Sequence, residues 1–134
     1  MKEISELKLP ENVRYAKDHE WARTEDGKVR IGVSDYAQDQ LGDIVFVELP
    51  QVGTAFSKGT QFGTVESVKA VAELYMPVGG EVLGVNKVLE DSPELVNKDP
   101  YAEGWMIDIK PGKLSELESL MTAGTYIQML KGLK

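Results

Sequence analysis

The 134-residue chain is 42% hydrophobic and 28% charged, enough to bury one core and too short for two ordinary domains. Its 15 Lys plus Arg against 22 Asp plus Glu leave a net charge of -7, a balance that repels phosphate backbones and anionic membranes and so disfavours nucleic acid as a partner. With no cysteine, disulfides, thiolate catalysis and Cys-based zinc sites are excluded, and any sulfur redox chemistry must come from an attached group.

Residues 1–10 mix Lys2, Glu3, Glu6 and Lys8 with isolated apolar residues, which is neither a signal peptide nor a transit peptide. No apolar run approaches the roughly 20 residues that span a bilayer. These features predict a soluble protein of a prokaryotic cytoplasm. The first hairpin follows: a segment around Trp21, then Glu25-Asp26-Gly27-Lys28, then Val29 to Val33. Asp-Gly supplies the positive φ angles of a two-residue hairpin turn, and Val29, Ile31 and Val33 share one buried face. Ser34 predicts an N-cap for a short helix over 35–41, with Gly42 closing it in a left-handed conformation.

Further turn signals recur at Gly42-Asp43, 50–53, Lys58-Gly59, Gly79-Gly80 and Pro111-Gly112, with short Val-, Ile-, Phe- and Tyr-rich segments between them. The pattern predicts a mainly β fold with short helices, a flattened barrel or sandwich of antiparallel strands. From Gln61 to Met76 the chain has no Pro and no Gly after Gly63. Extended at ~3.3 Å per residue this run would span roughly 50 Å, against about 36 Å for a compact domain of this length. It must fold back on itself, and Glu66-Ser67-Val68-Lys69 is its only interior polar cluster. A hairpin with Val68 and Lys69 at the centre of a type I turn results.

Ser92-Pro93-Glu94 predicts a cap and first turn running into Leu95 and Val96, and Ser115-Glu116-Leu117-Glu118 has capping-box spacing. Tyr126, Ile127, Leu130 and Leu133 form one apolar face of a terminal helix. Trp21 and Trp105 read as core or edge packing. A lone histidine, His19, makes no metal site, and Glu90-Asp91 with Glu94 reads as solvated acids beside a helix start.

By itself Lys69 is only an exposed turn lysine. Its flanks, however, resemble the attachment hairpin of glycine cleavage H proteins: Glu66-Ser67-Val68-Lys69-Ala70, then Pro77-Val78-Gly79-Gly80-Glu81-Val82. The resemblance extends along nearly the whole chain, through His19-Glu20-Trp21, Tyr36-Ala37-Gln38, Leu41-Gly42-Asp43-Ile44-Val45, Glu48-Leu49-Pro50, Leu95-Val96-Asn97, Pro100-Tyr101 and Gly104-Trp105. Asp108 departs from it, standing where many members carry a base, and the segment after Lys113 is only loosely similar.

The resemblance implies one lipoyl-carrier domain over 1–134, a lipoyl-domain-like hybrid with its hairpin core at about 40–112 and C-terminal helices at about 115–133. It implies lipoic acid bound covalently to Lys69, Glu66 and Gly80 as marks read by lipoate-attaching enzymes, and His19 lining a cleft for the resting arm. The implied role is that of a non-catalytic, monomeric carrier. It takes an aminomethyl group from the pyridoxal-phosphate enzyme glycine decarboxylase to the tetrahydrofolate-dependent aminomethyltransferase, and electrons to dihydrolipoamide dehydrogenase. A lipoate relay donating its group to other enzymes is the alternative. A biotin carrier fits less well because Val68 and Ala70 flank the lysine where biotin sites resemble Ala-Met-Lys-Met, and an unmodified β-rich binding module would leave Lys69 without its adduct.

Overall fold

The structure, a computed structural model, describes residues 2–133; the two end residues of the expected 1–134 unit lie outside it. After a single 3-10 turn at Ile4–Glu6 come β1 (Arg14–Tyr15), β2 (Glu20–Glu25) and β3 (Lys28–Val33), then helix α1 (Asp35–Leu41). Strands β4 (Ile44–Glu48), β5 (Ala55–Phe56), β6 (Gln61–Ser67), β7 (Val71–Tyr75) and β8 (Gly80–Val85) follow. The chain closes with α2 (Val88–Asp91), α3 (Leu95–Lys98), β9 (Ile107–Pro111), α4 (Leu114–Glu118) and α5 (Ala123–Gly132). The strands form two antiparallel sheets, one in the order β1-β2-β3-β9-β8-β5 and one in the order β4-β6-β7. The expected mainly β sandwich with short helices is what the chain forms.

Alternation along the strands explains the layering. Val29, Ile31 and Val33 point inward from β3, with Ile107 and Ile109 of β9 beside them, and meet Ile44, Val47, Val65 and Leu74 from the smaller sheet. The first hairpin turns as its sequence demands: Asp26 and Gly27 both take positive φ, 49° and 80°, and Glu25 pairs with Lys28. Ser34 accepts a hydrogen bond from the Ala37 N–H at 3.2 Å, and Gly42 ends α1 at φ 81°.

On the opposite side of β1 and β2 a second apolar cluster joins Val13, Tyr15 and Trp21 to Ala123, Tyr126 and Leu130 of α5. Trp21 is core packing as expected: it is fully buried, and its indole N–H donates to the Pro100 carbonyl at 3.1 Å. A Cβ on Gly32 would sit 2.8 Å from that ring, so glycine is what lets the indole lie on β3. Trp105 lies at the sheet surface with the Arg30 guanidinium 4.1 Å over its ring.

Several local expectations are corrected. The Ser115 capping box does not form. The helix begins at Leu114, which puts Ser115 inside it, and Glu116 reaches out to accept the Gly79 N–H at 2.8 Å. The Ser92 side chain does not cap α3 either; Ser92 closes α2 and only its carbonyl bonds forward, to the Leu95 N–H. Leu133 lies past the end of α5 and is exposed, so the buried stripe is Ala123, Tyr126 and Leu130. The turn signal at Gly79-Gly80 falls where the chain passes from β7 to β8, with neither residue at positive φ. Gly80 opens β8 between Phe56 and Pro111, and a Cβ there would collide with the Lys110 carbonyl oxygen.

Candidate functional site

Strands β6 and β7 pair from Gln61↔Tyr75 to Glu66↔Val71, and the chain reverses through 67–70. Ser67 organises the reversal. Its N–H donates to the Ala70 carbonyl at 2.8 Å, while its hydroxyl accepts from the Ala70 N–H at 3.1 Å and the Lys69 N–H at 3.3 Å. Neither Val68 nor Lys69 has positive φ, in keeping with the expected turn. The Val68 N–H donates to the Asp43 carbonyl at 3.1 Å, which ties the tip to the loop between α1 and β4.

That loop is itself pinned by Asn97. The Asn97 carbonyl oxygen accepts the Ile44 N–H at 2.8 Å, and its amide donates to the Gly42 carbonyl and to Gln38, both at 2.9 Å. Lys69 is exposed and forms no ion pair among the described residues, and its stem passes Gly42, where a Cβ would stand 3.6 Å from the Lys69 Cε. A rigid backbone thus offers a free amine. Val68 at 72% exposure and Val71 at 66% flank it, while Glu66, exposed, lies in register with Phe46 and Val71 on the outer face of the small sheet.

The far end of β7 is different. Tyr75, Met76 and Pro77 help line a cavity of about 460 Å³, together with the apolar Tyr15, Leu120, Met121 and Met129 and the charged Lys17, Asp18, Glu20 and Lys58. Glu20 is 2% exposed, and its carboxylate accepts the Tyr75 N–H at 3.1 Å. Burial pushes its pKa up to about 8 against the pull of that hydrogen bond, with Asp18 adding a smaller push in the same direction. From Val71 to Tyr75 the strand covers about 13 Å at ~3.3 Å per residue, comparable to a lysine side chain extended by an eight-carbon acid. The residues present therefore fit an acylated Lys69: an open amine at the tip, a strand edge of matching length, and beyond it a cavity with apolar lining residues that the buried Glu20 helps to line.

Of the residues singled out from sequence, Lys69 and Glu66 share the tip, whereas Gly80 lies in the other sheet. His19 is not among the cavity-lining residues; its two neighbours, Asp18 and Glu20, are. The His19 ring packs 4.7 Å from Tyr36, its Nδ1 is 2.7 Å from the Tyr126 hydroxyl, and burial lowers its pKa. Sequence reasoning missed Ser67, Asn97 and Glu20. Only Ser67 carried a signal, as a serine opening a turn.

Asp108 is buried, with Arg30 bidentate on it at 2.9 and 3.1 Å and the Lys28 amine at 2.9 Å. Burial alone would raise its pKa, yet these two cations hold it below the usual carboxylate value, so the departure noted at this position is absorbed inside the protein.

Two antiparallel sheets holding a free lysine out on a pinned hairpin define a presenting scaffold, with no cluster of three or more His, Cys, Asp or Glu suited to a metal ion among the described residues. A family model described as Glycine cleavage H-protein matches residues 13–133. A Bacillus licheniformis protein named Glycine cleavage system H protein is 55% identical over 125 residues, covering 93% of this chain and 98% of its own. One of the same name from Anaeromyxobacter dehalogenans is 52% identical over 120 residues, covering 90% and 94%. The crystal structure of a glycine cleavage system H protein from Mycobacterium marinum matches with a TM-score of 0.85 at 36% identity, over 92% of this chain and 99% of that one. The chain belongs to the glycine cleavage H-protein family.

Proposed function

We propose that Lys69 bears a lipoyl group in amide linkage and that this protein is the lipoyl carrier of a glycine cleavage system. The observation that carries the reading is the lysine itself: exposed, without an ion-pair partner among the described residues, and at the tip of a hairpin whose backbone is fixed from three sides. Once attached, the group supplies a disulfide that accepts a one-carbon amine unit and is later reoxidised. The partners in this reading are glycine decarboxylase, aminomethyltransferase and dihydrolipoamide dehydrogenase, preceded by a lipoate-attaching enzyme.

The protein's own residues place and protect, with no side chain acting as acid or nucleophile. Ser67 and Asp43 hold the tip so that the amine leaves the fold in one direction. Glu66, exposed three residues before Lys69, is the mark an attaching enzyme reads directly, while Gly80 contributes through the close β8–β9 approach that it permits. The cavity at the end of β7 shelters the far end of the arm: its largely apolar lining limits water, and a cationic amine on the arm favours ionisation of the buried Glu20 carboxyl, offsetting the burial that raises its pKa to about 8.

Peptide mass spectrometry of the protein from its own host tests this. A lipoyl increment on the peptide containing Lys69 is expected, and an unmodified Lys69 in lipoate-replete cells would overturn the reading.

A further inference from the structure

His19 stands out by its backbone. Apart from Asp26 in the Asp-Gly turn, it is the only non-glycine among the described residues with positive φ, at 77°, a conformation that costs a residue with a side chain free energy and persists only where its surroundings enforce it. Here they do. The His19 N–H donates to the Ala16 carbonyl and its own carbonyl accepts the Ser34 N–H, both at 2.9 Å. The ring is fastened to the Tyr126 hydroxyl at 2.7 Å, and that hydroxyl lies 2.8 Å from the Ser34 hydroxyl. Tyr126 in turn is stacked on Tyr15, with centroids 4.5 Å apart and planes within 3°.

Residues 17–19, ending in this strained residue, turn the chain tightly between Ala16 and Glu20. Asp18 and Glu20 are separated by one residue, and both line the cavity while the ring between them faces away. The same corner is closed by the Ala16 N–H bonding to the Glu20 carbonyl at 2.8 Å, leaving the Glu20 carboxylate on the Tyr75 N–H.

We infer that His19 is a positioning residue, whose ring, locked to Tyr126 on α5, holds the 16–20 corner in its left-handed form and so aims the Glu20 carboxyl into the cavity at the end of β7. The role of that carboxyl toward the arm rests on the function proposed above; the positioning itself does not. It ties the corner that carries Glu20 to the C-terminal helix, which also lines the cavity through Met129.

The test is a carboxyl NMR titration of Glu20 in the protein without its lipoyl group, which needs no partner enzyme. Besides the Tyr75 N–H, the charged groups that share the cavity lining with Glu20 are Asp18, which raises its pKa, Lys17 and Lys58, and all three are retained in the variants. In the wild type, burial should set the Glu20 midpoint at about 8. In Tyr126→Phe, which keeps the stacked ring and loses the hydroxyl, and in His19→Gly, which keeps the φ and loses the ring, the midpoint should fall by at least one pH unit as the corner loosens and water reaches the carboxylate. His19→Gly removes more of the anchor and should lower it further. An unchanged Glu20 midpoint in both folded variants overturns the proposal. Glu20→Gln separates this from the carrier reading: unimpaired carriage by that variant would remove the cavity's role for Glu20 and leave the positioning result standing.

Discussion

The two ends of β7 are built by opposite means. At the tip, Val68, Lys69 and Ala70 are exposed, and the turn is held by one hydroxyl and backbone hydrogen bonds, so its side chains are free of the fold. At the other end Tyr75 runs into a buried carboxyl, a strained histidine and a stack of tyrosines. The tip serves access and the cavity end serves enclosure, so changes to the exposed side chains of the first should alter function without stability and changes at the second should alter both. Lys69→Ala is the extreme case. Stability should stay within about 0.5 kcal/mol by chemical denaturation, since nothing else in the fold uses the side chain, while glycine–CO2 exchange in a reconstituted system falls to background. Residual exchange well above background would break the comparison.

The next largest effect is expected at Gly80, where access and packing give different answers. A Cβ there would strike the Lys110 carbonyl oxygen and approach the Ile109 side chain, forcing β8 and β9 apart. Gly80→Ala should therefore cost about 1–3 kcal/mol, as overpacking typically does. Its lipoylation should slow only to the extent that the fold is lost, measured as attachment rate against unfolding midpoint. A fully stable variant that is no longer lipoylated would make Gly80 a directly read mark and not a packing residue.

Glu20 gives a smaller effect with a distinctive pH signature. Its folded pKa of about 8 lies above the ordinary 4.5, so the native state keeps a proton that the unfolded chain has released. Stability therefore falls as pH rises from about 4.5 to about 8 and levels off above that. Glu20→Gln has no proton to lose and retains an acceptor for the Tyr75 N–H. Its advantage over the wild type should widen between about pH 5 and about pH 8, reaching at least about 1 kcal/mol, since a tenfold difference in proton affinity between folded and unfolded chains is worth about 1.4 kcal/mol. A constant difference across that range would mean that Glu20 is ionised and solvated in the folded protein.

How much of this could be read from the chain follows the range of the interactions involved. The first hairpin and α1 were legible because Asp26-Gly27, Ser34 and Gly42 act on their immediate neighbours. The tip was legible because a run too long for the fold had one polar break. The Ser115 cap failed although its spacing was right, because α4 starts two residues earlier than such a cap requires and Glu116 finds the Gly79 N–H, 37 residues away. Glu20 had no local signal at all: the group that it meets is Tyr75, 55 positions on. His19 was legible as a residue of interest through the family resemblance, yet its placement depends on Tyr126, 107 positions away.

The smallest effect is expected at Ser67, where the comparison is sharpest because only the order of the tip is at stake. Its hydroxyl takes up the Ala70 and Lys69 N–H groups, and the residue is 8% exposed, so removing the oxygen leaves two backbone donors to find water at the edge of the turn. Ser67→Ala should lower stability by about 0.5–1.5 kcal/mol, the usual worth of one such interaction. It should also slow lipoyl attachment several-fold, because an attaching enzyme then meets Lys69 in many backbone arrangements and must select one. Ser67→Thr, which keeps the oxygen and suits the end of a strand, should restore both. If attachment slows in the alanine variant and recovers with threonine while Lys69 stays exposed throughout, the tip works by presenting its amine in a fixed direction. If attachment is indifferent to the hydroxyl, exposure alone suffices and the pinned backbone serves only the fold.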